Sequence, residues 1–188
     1  ANGDAAMAML VTHISAAAGS LARMAMEWKK FGKPSALGIA TGMVAGLGTI
    51  TPASGCVSPA AALVIGLSAG VICFYMVIFV KHKLKIDDSL DVFPVHGIGG
   101  ILGTLLAGVF ASTELGLFSG YGFAKPEYTM LDQLGVQALG VVATVVYTAL
   151  VTGVWLKRIG LFAPVRGTGD EETQGLDIAL HEERGYDL

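Results

Sequence analysis

The stretch PSALGIATGMVAGLGTITPASGCVSPAAALVIGLSAGVICFYMVIFV, Pro34 to Val80, holds no Asp, Glu, Lys, Arg or His over 47 residues. As one straight helix it would be about 70 Å long, more than twice the roughly 30 Å hydrocarbon core of a bilayer. It therefore reads as two membrane spans with a turn between them. The turn falls at Thr51-Pro52-Ala53-Ser54-Gly55, with Ser58-Pro59 after it. Proline disfavours helix in the residue before it, and glycine permits tight turns.

Outward from this stretch the pattern repeats. Val92 to Thr113 and Gln133 to Leu156 are further uncharged runs of spanning length, interrupted only by His96, and Ala5 to Ala22 is a weaker one containing His13. Apolar residues make up 53% of the chain and charged residues 14%, where a soluble domain carries about 25% charged. The expected fold is an all-α membrane protein, a bundle within residues 1–165 of five transmembrane helices near 5–28, 35–53, 58–81, 90–111 and 131–157. A polar, acidic tail follows over residues 166–188, and residues 112–130 form a loop. Lys81-His82-Lys83-Leu84-Lys85 closes the third helix, and Asp87, Asp88 and Ser89 offer N-caps and favourable negative charge to the fourth.

The basic residues orient the bundle. If the helices alternate, eleven of the 12 lysines and arginines fall on one side, with Arg23 snorkelling to it, and Lys125 alone falls on the other. By the positive-inside rule the tail is cytoplasmic and the 112–130 loop faces out. The net charge of −3 says little about partners, because the charges lie in loops and tail. No basic surface suggests nucleic acid, and Cys56 and Cys73 read as free thiols packed as small residues. Glycines at four-residue spacing (Gly38, Gly42 and Gly46; Gly66 and Gly70; Gly99 and Gly103) describe helices built to approach closely.

His96 is the residue on which a function can be built. On a helix starting near Leu90 it lies about 9 Å from the cytoplasmic end, inside the hydrocarbon. Ionisable groups at that depth face a bundle interior or a cavity and mark pathways, the plainer alternative being a packed histidine bonded to backbone. Hydrocarbon disfavours a charged imidazole, and a neutral ring offers one donor and one acceptor, which suits a small uncharged polar molecule. Val92, one turn earlier on the same face, would wall such a path with apolar surface. Asp91 stands at the helix start, where a carboxylate caps free N–H groups. Thr51 is either a cavity-lining hydroxyl or bonded to its own backbone. His13, beside Thr12 and Ser15, reads as an interhelical polar contact. The cluster Asp87, Asp88 and Asp91 fits no known metal loop, and Gly167-Thr168-Gly169-Asp170 and His181-Glu182 lie in the hydrophilic tail without the partners a catalytic motif needs. No metal, cofactor or enzymatic role is expected.

Several pieces in order, Glu27-Trp28, Gly32-Lys33-Pro34-Ser35, Ile50-Thr51-Pro52-Ala53, Asp87-Asp88, Asp91-Val92-Phe93-Pro94-Val95-His96-Gly97, Gly175-Leu176-Asp177 and His181-Glu182, resemble the ammonium transporter family of Amt, Mep and Rh proteins. The resemblance implies an eleven-span protomer in the cell membrane, assembled as a homotrimer with one ammonia pore per subunit. It implies two in-line pore histidines, of which His96 is the second, with Val92 and Thr51 pore-lining and Asp91 bracing the helix. It further implies that the cytoplasmic tail, through Gly175, Asp177 and His181, meets a PII signalling protein. The chain resembles the second inverted half of that fold plus its last helix, with Pro94 where the family often has glycine. It is therefore expected to be a fragment that needs the first half, and the first histidine, to conduct ammonium or ammonia. The alternative is a non-conducting membrane subunit or sensor acting through its tail on a PII-type partner.

Overall fold

A helix start leaves its first N–H groups without backbone partners, so helices begin where a side-chain oxygen can accept from them. The structure, a computed structural model, describes residues 2–111, 125 and 127–183. Asn2 accepts from the Ala5 N–H at 3.0 Å and opens α1, Gly3–Phe31. Ser35 accepts from the Gly38 N–H at 2.9 Å and opens α2, Ala36–Ile50. Ser58, with Pro59 in the first helical turn, opens α3, Pro59–Ile78, which continues through a π-helical turn, Phe79–Lys83. A second π-helical stretch, Phe93–Ile98, runs into α4, Gly99–Phe110. α5 is Met130–Ile159, and the tail carries α6, Gly169–Gln174, and α7, Leu176–His181.

The five apolar helices expected of a membrane bundle are present, and four are long enough to cross a bilayer. The fifth, α2, has 15 residues, which at about 1.5 Å each falls short of the hydrocarbon core. It stops at Ile50 because Pro52 disfavours helix before it. A turn takes over there, with the Ala53 N–H on the Ile50 carbonyl at 2.8 Å and the Cys56 N–H on the Ala53 carbonyl at 2.9 Å. The expected 112–130 loop lies largely outside the described residues.

Packing divides the chain into two units, Ala1–Val141 and Val142–Leu188. In the first, α1 lies in a notch made by α2 and α3. A methyl group on Gly46 or on Gly66 would overlap the Ser15 carbonyl of α1, and one on Gly19 would overlap the Gly42 carbonyl. The Ser15 hydroxyl donates to the Gly46 carbonyl at 2.9 Å and is fully buried. Such bonds between membrane helices contribute only about 0.6 kcal/mol on average, so close backbone approach does more to hold the helices together. This contact is made by Ser15; His13, expected to supply it, is exposed. Val11, Ile50, Ala53, Val57, Ala62, Ile65 and Ala107 fill the core beside the notch. α4 joins through glycine again, Gly103 lying against the Thr49 carbonyl and Pro52.

Arg23 does not snorkel. It is 7% exposed, its Nε 3.3 Å from Glu27 Oε1 and its guanidinium 5.3 Å above the Phe74 ring. The second Glu27 oxygen accepts from the Ser35 N–H at 2.8 Å and the Ser35 hydroxyl at 3.0 Å, which ties the α1–α2 connection to α1. The guanidinium stays inside with its charge met by a carboxylate four residues on in the same helix and by the face of the Phe74 ring.

In the second unit, Arg166 grips the Glu172 carboxylate through Nε at 2.6 Å and Nη2 at 3.0 Å. Thr168 and Glu171 form a capping box at the start of α6. The Thr168 N–H, at 2.6 Å, and its hydroxyl, at 3.0 Å, hold the Glu171 carboxyl below its ordinary range. A depressed carboxylate stabilises α6 above its ordinary titration range, and the effect is lost as pH falls through the lowered value.

Two outcomes are expected. Gly46→Leu should destabilise the protein by about 1–3 kcal/mol or more, since the Ser15 backbone cannot move aside, while Gly48→Ala should cost little; thermal unfolding in detergent reads both. Thr168→Ala should raise the Glu171 titration midpoint toward the ordinary carboxylate range, read by carboxyl-carbon NMR.

Candidate functional site

Asp88 opens the segment that carries His96. Its two carboxylate oxygens accept from the Val92 N–H at 2.8 Å and the Phe93 N–H at 2.9 Å. Asp91, expected to cap here, does not; its own backbone is left-handed at φ +56°. That conformation turns its side chain away from the helix start and onto Lys81, Nζ to Oδ1 at 2.6 Å. The Asp91 carbonyl still serves the helix by accepting from the Val95 N–H at 3.0 Å.

Next comes Pro94, which has no N–H to give. The helix is π-wound over Phe93–Ile98, with His96 inside the widened turns, and tightens again as the Gly99 N–H reaches the His96 carbonyl. Such bulges are rare and gather at functional sites. Pro94 and Val95 are buried, while Val92 is 51% exposed and His96 is exposed. A β-carbon on Gly97 would strike the Phe93 ring, at 2.9 Å. A β-carbon on Gly48 of α2 would lie 3.9 Å from His96 Nδ1 and 3.8 Å from the Val95 carbonyl oxygen. Gly48 thus floors the space beside the ring. Its place off the Gly38, Gly42 and Gly46 repeat was the one signal that could have found it.

Thr51 is exposed, and its hydroxyl donates to the Leu47 carbonyl at 2.8 Å, within its own helix. Asp88 and Asp91 thus bear on the backbone that leads into His96, through the N–H groups of Val92, Phe93 and Val95. In the tail, Gly175 takes φ +98° between α6 and α7, a conformation side chains resist. Asp177 and His181 lie exposed on α7. Cys56 and Cys73 are free thiols, and burial raises the Cys56 thiol above its ordinary range. Among the described residues, no group of three or more His, Cys, Asp and Glu could hold a metal ion.

A putative ammonium transporter of Methanothermobacter thermautotrophicus is 46% identical over 186 residues, covering 98% of this chain and 45% of the relative. Among solved structures, one titled Sensor Amt Protein superposes with TM-score 0.81 at 28% identity, covering 96% of this chain and 43% of its own. Mep2 of Saccharomyces cerevisiae superposes at 0.76 and 32% identity, with 86% and 38% covered. The chain spans a little under half the length of the curated relatives it matches. The profile of the Ammonium Transporter Family matches residues 1–186, and the chain belongs to that family.

Proposed function

We propose that the whole protein moves ammonium as ammonia across a membrane and that the His96 ring lines its path. The observation that carries this reading is the placement of an imidazole on a π-wound helix start, beside a bare glycine, on a face left open by the described residues. A neutral imidazole can donate to the ammonia nitrogen from one ring position and accept an ammonia N–H at the other. Val92, half-exposed on the approach, offers no polar group to hold water or an ion. Stripping water from a charged ammonium costs several kcal/mol, so a narrow apolar path favours the uncharged molecule. Thr51 lines the outer part of the path through its methyl and β-carbon, its hydroxyl being held by Leu47.

The open face bearing His96 and Val92 needs an opposite wall. In this reading the wall comes from segments matching the remainder of the relatives' length, and a second histidine with it. Homotrimeric assembly, a cell-membrane setting and a cytoplasmic tail belong to the same proposal, supported by the family and by the lysines gathered at the ends of α1 and α3. The exposed tail helices, with Gly175 at their corner, are a surface for a PII-type partner. One matched structure is titled a sensor. That observation favours a second reading, in which the tail's partner rather than flux is the output.

His96→Ala in the full-length protein, reconstituted in liposomes, should bring ammonia flux down to that of empty vesicles and leave tail-partner binding unchanged. Undiminished flux would reject the pore role. The 188-residue chain alone should give no flux above empty vesicles.

A further inference from the structure

The loop between the π-helical end of α3 and the His96 helix reverses at both ends, through left-handed Lys85 (φ +53°) and left-handed Asp91 (φ +56°). Packing holds the second helix beyond the loop, with Val95 buried beside Ala45, Ala69 and Cys73 and Gly103 against the Thr49 carbonyl, and the loop's own end at Asp91 is held separately. There Lys81, at the end of α3, meets Asp91 at 2.6 Å between Nζ and Oδ1, the two side chains being 36% and 13% exposed. Among the described residues Asp91 Oδ1 accepts no hydrogen bond, so the Lys81 ammonium meets it as a charge alone. Asp91 in turn holds the Val95 N–H through its carbonyl, one residue before His96. The Asp88 carboxylate fixes only the two N–H groups of Val92 and Phe93. From those atoms the chain of contact runs Lys81, Asp91, Val95, His96.

We propose that Lys81 is a positioning residue for the His96 ring, acting through its ion pair with Asp91. The pair neutralises a carboxylate that would otherwise stand nearly buried and uncompensated, and it fixes the left-handed turn from which the π-wound segment starts. Without Lys81, Asp91 is drawn toward water, and its Val95 partner and the ring after it move with it. A lysine ammonium could hold the carboxylate as a point charge alone, so arginine should substitute for it. The consequence for flux rests on the pore reading of His96; the consequence for the ring does not.

The experiment uses the full-length protein in lipid, with ring-nitrogen-labelled histidine and the His96 signals assigned by their loss in His96→Gln. Lys81→Met and Asp91→Asn should shift or split those signals, since Asn tolerates the left-handed backbone but not the ion pair. Lys81→Arg and the double exchange Lys81→Asp with Asp91→Lys should restore them. Methylammonium uptake should fall roughly ten- to a hundredfold in the first two variants, as small misplacements of a working group do, and recover in the last two. Unchanged His96 signals in folded Lys81→Met overturn the proposal. If that variant does not accumulate, Asp91→Asn decides alone by the same signals. Shifted signals with full uptake in His96→Ala would uphold the positioning role and reject the pore reading instead.

Discussion

Helices in lipid gain nothing from burying apolar side chains against one another, because the tails outside are as apolar as the core. Association must come from atoms brought closer than lipid can come. Here that closeness is backbone to backbone: the Ser15 carbonyl against Gly46 and Gly66, and the Gly42 carbonyl against Gly19. With any side chain at these positions the three helices would stand apart. The Ser15 hydroxyl, the Thr49 carbonyl against Gly103 and the small core of Val11, Ile50 and Ile65 all depend on that spacing. So does the site, since Gly48 reaches His96 only because α2 is already held close.

The site itself is a departure from regular helix made at a place that can bear it. A π-wound stretch gives up ordinary bonding and widens the turn. Its cost is contained by Asp88 taking two N–H groups, by Asp91 taking a third through its carbonyl, and by Pro94 having none to lose. His96 is consequently presented from a fixed start, with Gly97 leaving room for the Phe93 ring behind it.

Two ion pairs sit in this framework and play different parts. Arg23 and Glu27 are on adjacent turns of one helix, and their effect passes to the Ser35 connection and to Phe74. Lys81 and Asp91 belong to different helices, and their effect passes to the His96 segment. Arg23 and Glu27 are both buried, and breaking such a pair by removing one partner costs about 3–5 kcal/mol. Lys81 is 36% exposed, and its pair with Asp91 is partly screened. The Arg166–Glu172 pair lies in the exposed tail, where such pairs contribute little.

What the amino-acid order by itself determined is local or statistical. The uncharged run from Pro34 to Val80 required two spans and a turn at Pro52, followed by Ser58-Pro59. The spacing of Gly42, Gly46, Gly66 and Gly70 announced close packing, and the isolation of His96 in an apolar run singled it out as the candidate residue. Tertiary structure alone decided which carboxylate caps the fourth span, why Arg23 stays inside, that Ser15 and not His13 bridges helices, and that Gly48 and Lys81 serve the His96 segment. Those outcomes turn on distances between helices for Ser15 with Gly46 and Gly48 with His96, on the pairing of Arg23 with Glu27 beneath the Phe74 ring, and on the backbone reversal at Asp91. Periodicity and composition describe neighbours along the chain; they carry no measure of which side chain arrives first across a gap between helices.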